Sequence, residues 1–162
     1  MSDIIRNILV YIDGTEHSVV AAHYAVCLAK TLHTELSALF VVNTQALGTL
    51  VKSRIFLQDE EEEYRRDLNA DAERYLKHVH TIGQAKGIDI NLINKSGSVS
   101  GEIKNCVKEN DIDLLIIGEL SRIKSRRDQF YDETERAMRS VNCSVLMVKD
   151  EDRVWDIYDK LL

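Results

Sequence analysis

The sequence predicts an α/β protein built on an open parallel sheet with helices on both faces. Three observations predict it. Short continuous apolar runs, NILVYI, ELSALFVV and DLLIIG among them, have the length and branched composition of strands buried on both faces. Longer segments between them repeat apolar residues at helical spacing. Strand and helix signals alternate, and that order calls for parallel strands joined by right-handed crossovers.

The elements follow in chain order. Asn7 to Asp13 is the first strand and ends in Asp-Gly. Thr15 is placed to cap a helix on which Ala22, Val26, Ala29 and Leu32 share a face. Glu35 to Asn43 is the second strand, and Thr44 to Leu57 has no firm pattern and reads as a loop. A long helix spans about Gln58 to Lys86, its acidic start tied to basic residues by the i,i+4 pairs Glu61–Arg65 and Glu62–Arg66. Ile88, Ile90 and Leu92 alternate with polar residues from Gly87 to Gly97, the pattern of an edge strand. Ser96-Gly97-Ser98 then turns into a helix from Val99 to Glu109, with Ile103 and Val107 on one face. Asp113 to Gly118 is a central strand, Asp132 to Ser140 a helix, and Cys143 to Asp150 the last strand. A tail follows, with Val154, Trp155, Tyr158, Leu161 and Leu162 on one broad helical face, suited to packing on its own domain, on a second subunit or on another protein. One domain covers residues 1–150, and 151–162 is its amphipathic tail.

The totals exclude several classes of function. A chain of 162 residues with 44% hydrophobic and 30% charged residues suits one globular domain. A formal charge of -6 gives no reason to expect nucleic-acid binding. No apolar run has the length of a membrane span and no signal peptide opens the chain, so a cytoplasmic protein is expected. Cys27, Cys106 and Cys143 stand far apart without CxxC pairing and read as buried thiols. No GxSxG, GxxxxGK, GxGxxG or HExxH is present, and no nucleophile has an evident activating base, so the chain does not read as an enzyme.

NILVYIDGTEHSVVAAHYAVCLAKTLHTELSALFVVN, then GSVSGEIKNCVKENDIDLLIIG, then MRSVNCSVLMV resemble the universal stress protein family in order and spacing, over roughly residues 5 to 149. The resemblance implies a Rossmann-like five-stranded sheet of order 3-2-1-4-5, with a ligand crevice beyond the carboxyl ends of strands 1 and 4. It also implies a homodimer joined through the fifth strand, CSVLMV. Response regulators and flavin-binding domains share such sheets, but YIDG and NLINKSG lack the acids of a phosphoacceptor, and DGTEHS is a poor flavin-phosphate loop.

Members of the family that bind ATP carry Gly-x2-Gly-x9-Gly-Ser/Thr after the fourth strand, because bare glycine backbone and a helix N-terminus can cradle phosphates. Gly118 matches the first glycine. Ser121, Tyr131 and Asp132 stand at the other three positions, so a ring and a carboxylate replace bare backbone and a hydroxyl. The candidate nucleotide crevice is therefore Ile12, Asp13, Gly14, Val42, Ile117, Gly118, Ser121 and Thr134, with ATP or AMP as the ligand and weak or no binding expected. Asp13 suits either a ribose contact or a cap of its own turn. Arg122, Lys124, Arg126 and Arg127 make a basic loop suited to solvent, to an acidic protein partner or to phosphate. Glu16 and His17 have no third ligand at metal spacing; His78 and His80 point to different faces; His23 and His33 are expected to pack on helix surfaces. The leading expectation is a regulatory or interaction module of the stress response. The alternative is an adenine-nucleotide switch with the basic loop on phosphate.

Overall fold

Apolarity sorts the strands. β1 (Asn7–Ile12) and β4 (Leu114–Gly118), with side chains buried almost throughout, pair at the centre, and β2 (Glu35–Asn43) flanks β1. The more polar β3 (Asn91–Gly97) and the less buried β5 (Ser144–Val148) take the edges. The order is β3-β2-β1-β4-β5, as the family resemblance implies, and every pairing is parallel, as the alternation of strands and helices predicts. The computed structural model describes residues 4–44, 58–120 and 133–162. Its helices are α1 (Glu16–Leu32), α2 (Gln58–Gln84), α3 (Val99–Glu109), α4 (Glu133–Ser140) and α5 (Glu151–Lys160).

The period-two alternation of the inner strands builds two cores. Ile8, Val10, Ile12, Ala38, Phe40, Val42 and Ile116 face α1, α2 and α5; Leu9, Tyr11, Leu39, Val41, Leu115 and Ile117 face α3 and α4. Full burial of each such side chain is worth about 1.5–3 kcal/mol, so a one-residue register slip would be costly throughout the centre of the sheet.

Local signals set most boundaries. Thr15 caps α1, its Oγ1 accepting from the Ser18 amide at 3.2 Å, and Ser98 caps α3 in the same way through the Gly101 amide. α2 packs from Leu68 onward, most deeply through Ala72, Leu76, Val79 and Ile82; its first turns carry surface pairs such as Glu61–Arg65 at 2.8 Å. Asp113, just ahead of β4, accepts the Arg6 and Asn7 amides at 2.8 and 3.0 Å, which ties the amino ends of β1 and β4 together.

Some expectations are corrected. β3 starts at Asn91, not Gly87: Ile90 is buried against Gly83 before the strand begins, and Leu92 is 39% exposed because β3 is an edge. Leu32 is exposed, since α1 ends there at a left-handed His33. His33 is therefore a helix end, not a packing residue. The tail forms α5, and its own domain receives it: Val154 is buried, Trp155 and Tyr158 pack on α1, and the Tyr158 hydroxyl donates to the Ile82 carbonyl at 2.8 Å. Leu162 stays fully exposed and does not join that face. The loop expected over 44–57 lies outside the described residues from 45 onward. Among the described residues no helix is long and apolar enough to cross a membrane.

Candidate functional site

The crevice between β1 and β4 starts from sheet order. α1 leaves β1 towards one face and the chain leaves β4 towards the other, so the two exits diverge. Val10 pairs with Ile116, which sets Ile12 level with Gly118 two residues later. Asp13 and Gly14 continue from the first, and Val42 stands next to last in β2 on the other side of β1. Ile12, Val42 and Ile117 are almost fully buried with their side chains in the cores, so only their main chain reaches the crevice. Thr134 lies half-buried in the first turn of α4. Ser121, the basic loop of Arg122, Lys124, Arg126 and Arg127, and the signature positions Tyr131 and Asp132 lie outside the described residues.

The exit of β1 is closed by its own hydrogen bonds. Asp13 Oδ1 accepts from the Thr15 amide at 2.9 Å and from Thr15 Oγ1 at 2.5 Å. The Ser18 hydroxyl donates to the Thr15 carbonyl at 2.8 Å and accepts from the Asp13 amide at 3.3 Å. Asp13 thus caps its own turn. The turn needs glycine at position 14, where φ is +83° and a Cβ would sit 2.9 Å from the Tyr75 ring. Tyr75 in turn stacks on Phe40, with ring centroids 6.0 Å apart and an interplanar angle of 6°.

The exit of β4 is closed by packing. A Cβ on Gly118 would lie 2.5 Å from the His17 carbonyl oxygen and 2.9 Å from the Ser18 amide. The first turn of α1 therefore presses backbone to backbone on β4, and Gly118 is required whether or not a phosphate ever binds. Across the crevice, Glu133 Oε2 accepts from the Ser100 amide of α3 at 3.3 Å, while Oε1 lies 3.4 Å from Arg136. A carboxylate of the chain itself thus occupies one of the amide donors at that helix N-terminus. Burial pushes the Tyr11 phenol above its ordinary value, and the charges of Asp13 and Glu133 push it further, so it remains a neutral hydroxyl.

The remaining sequence candidates separate. Cys27 and Cys106 are buried and Cys143 half-buried; burial raises all three thiols, Cys106 to about 11, so none is a ready nucleophile at neutral pH. Among the described residues no group of three His, Cys, Asp or Glu side chains could hold a metal. A cavity of about 50 Å³ lies between His17, Glu119, Val148 and Glu151, too small for a nucleotide. A larger hollow of about 750 Å³ opens at the opposite end of the sheet, between Ile5, Val107, Ile112 and Val141. Tyr75 and Tyr11 are crevice residues that sequence reasoning did not single out. Tyr11 shares the alternation of Leu9 and was open to assignment to that face; nothing local announces that Tyr75 meets Gly14.

Comparison with known proteins agrees with this architecture. The family model described as the universal stress protein family matches residues 5–149. Universal stress protein MJ0531 of Methanocaldococcus jannaschii is 25% identical over 156 residues, spanning 92% of this chain and 89% of the relative. Universal stress protein YxiE of Bacillus subtilis is 26% identical over 146 residues, spanning 89% of this chain and 99% of its own. Among solved structures, a universal stress protein family member from Burkholderia pseudomallei superposes with a TM-score of 0.70 at 18% identity, covering 93% of this chain and all of that one. A universal stress protein in complex with cAMP gives 0.67 at 17% identity, over 89% and 96% of the two chains. One from Archaeoglobus fulgidus in complex with dAMP gives 0.60 at 14%, over 91% and 100%. With its sheet order, its crevice and its matching stretch in agreement, the chain belongs to the universal stress protein family.

Proposed function

We propose that this protein is a non-catalytic regulatory module of the stress response, working in the cytoplasm through protein contacts and holding adenine nucleotide weakly or not at all. The observation that carries this reading is the internal use of the crevice. Asp13 caps its own turn and Glu133 takes an α3 amide, so two carboxylates stand where a phosphate would need donors. Gly118, the one signature glycine kept, has a packing reason of its own. Tyr11 at the crevice stays a neutral hydroxyl, and the three thiols elsewhere in the fold are raised by burial, which supports the non-catalytic reading. The exposed edge at β5 presents Val145, Leu146 and Met147 half-buried, which supports a homodimer seam there. The basic loop at Arg122 to Arg127 is the surface proposed for an acidic protein partner.

The test is to denature freshly purified protein, search for released adenine nucleotide by mass spectrometry, and titrate ATP and AMP calorimetrically into stripped protein. No nucleotide, and no heat at millimolar ligand, is the expected result; stoichiometric nucleotide overturns the reading. It would favour the second one, an adenine-nucleotide switch, which draws support from the relatives solved with cAMP and dAMP. Asp13 Oδ2, without a partner among the described residues, also remains available to a ribose. In that case nucleotide at 100 times its dissociation constant would add about 2.7 kcal/mol of stability. For the seam, Leu146→Lys is expected to give monomers in sedimentation, with Leu92→Lys on the opposite edge as the control.

A further inference from the structure

We propose that α5 is an acid-releasable latch, held on α1 by the neutral imidazole of His23 and let go when that ring takes a second proton. α5 lies beyond residues 5–149, the stretch matched by the family model, and beside buried Val154 its two aromatic side chains close on one side chain of α1. His23 is 7% exposed on a helix face. Its ring meets Trp155 edge-on at 4.2 Å between centroids and Tyr158 at 4.6 Å. Its Nδ1 lies 2.8 Å from the Val19 carbonyl, which can only accept, so Nδ1 carries the proton of the neutral ring. A second proton must go on Nε2, in a ring wedged between α1 and the two aromatic side chains.

The surroundings do not welcome that charge. On α1 the neighbouring groups are Cys27 and Lys30, and on α2 His78. Lys86, just after α2, holds its ammonium 4.7 Å over the Tyr158 ring and donates to the Leu161 carbonyl. α5 itself contributes Tyr158, Asp159 and Glu151, and Glu151 already accepts from the Trp155 indole at 3.2 Å. Of these, His78 works against a charge on the ring and Asp159 for it, while Lys30 donates to the Lys86 carbonyl and Lys86 to that of Leu161. Burial pulls His23 below its ordinary value and His78 adds to this, while the Val19 carbonyl and Asp159 oppose it. Released from the dock, His23 returns to about 6.5. The docked state then binds fewer protons than the released state. Docking is at full strength above that pH and weakens as pH falls through it towards the docked value.

Trp155 is the only tryptophan of the chain, so its accessibility reports the latch directly. The experiment is acrylamide quenching of Trp155 in the full chain at about pH 7.5 and about pH 5.5, on either side of the free histidine value, beside an NMR titration of the His23 ring. The wild type is expected to show low quenching at the higher pH and several-fold higher quenching at the lower, with the sheet intact by circular dichroism. His23→Phe, which keeps a ring but no titrating group, is expected to stay shielded at both. Equal quenching of the wild type at the two pH values would overturn the proposal, as would the same acid response in His23→Phe. If His23→Phe fails to dock at all, the wild-type titration decides: a His23 value at or above 6.5 is incompatible with the latch.

Discussion

The exits of β1 and β4 lie level at one end of the sheet and are closed by different physics. After β1, Asp13, Thr15 and Ser18 satisfy one another through five side-chain hydrogen bonds of 2.5 to 3.3 Å, and Gly14 supplies the left-handed turn. After β4 no such network holds the described residues; instead the backbone of α1 comes so near Gly118 that no side chain fits. The difference teaches how to read a retained glycine. A glycine kept beside two lost ones resembles a relic of phosphate binding, yet here the packing of α1 demands it.

The contrast can be tested by substitutions, taken from the largest expected effect downward. Gly118→Val drives a branched side chain into backbone that cannot step aside, and is expected to cost about 3 kcal/mol or more in urea unfolding. Loss of nucleotide response in that variant would therefore say nothing about phosphate. Gly14→Ala must hold φ near +83° and displace the Tyr75 ring, for about 2 kcal/mol; because a ring can shift where backbone cannot, it should melt well above Gly118→Val. A reversed order would mean that the β1 turn, not the β4 contact, is the rigid point. Thr15→Ala removes the α1 cap and one donor to Asp13, for about 1 kcal/mol, and Thr15→Ser should restore most of it. Glu133→Gln keeps an acceptor for the Ser100 amide and should move stability by less than about 0.5 kcal/mol. A large loss there would show that the negative charge, not the hydrogen bond, ties α4 to α3.

Much of this was legible in the sequence, because the signals are local. The apolar runs of β1, β2 and β4 are short, unbroken and flanked by polar punctuation, so their positions hold to within a residue or so. Thr15 and Ser98 announce the helices they cap, since an N-cap acts within three residues. β3 was less clear: Ile88 and Ile90 alternate as a strand would, but they pack beneath the end of α2 before pairing begins. The candidate site was visible as positions, not as roles. Asp13 could be placed at the end of its strand, yet its choice between ligand and turn depended on whether Thr15 would fold back on it.

The order of apolar runs and caps along the chain was enough for a parallel α/β sheet, because periodicity and capping act over a few residues and survive any arrangement of the rest; the crevice beyond β1 and β4 followed from the resemblance of those stretches to the universal stress protein family. Three outcomes needed the folded chain: Tyr75 over Gly14, the α1 backbone on Gly118, and His23 between Trp155 and Tyr158. Each joins residues of different helices or strands, and the distance between such partners is set by how the layers pack, which no stretch of neighbouring residues encodes.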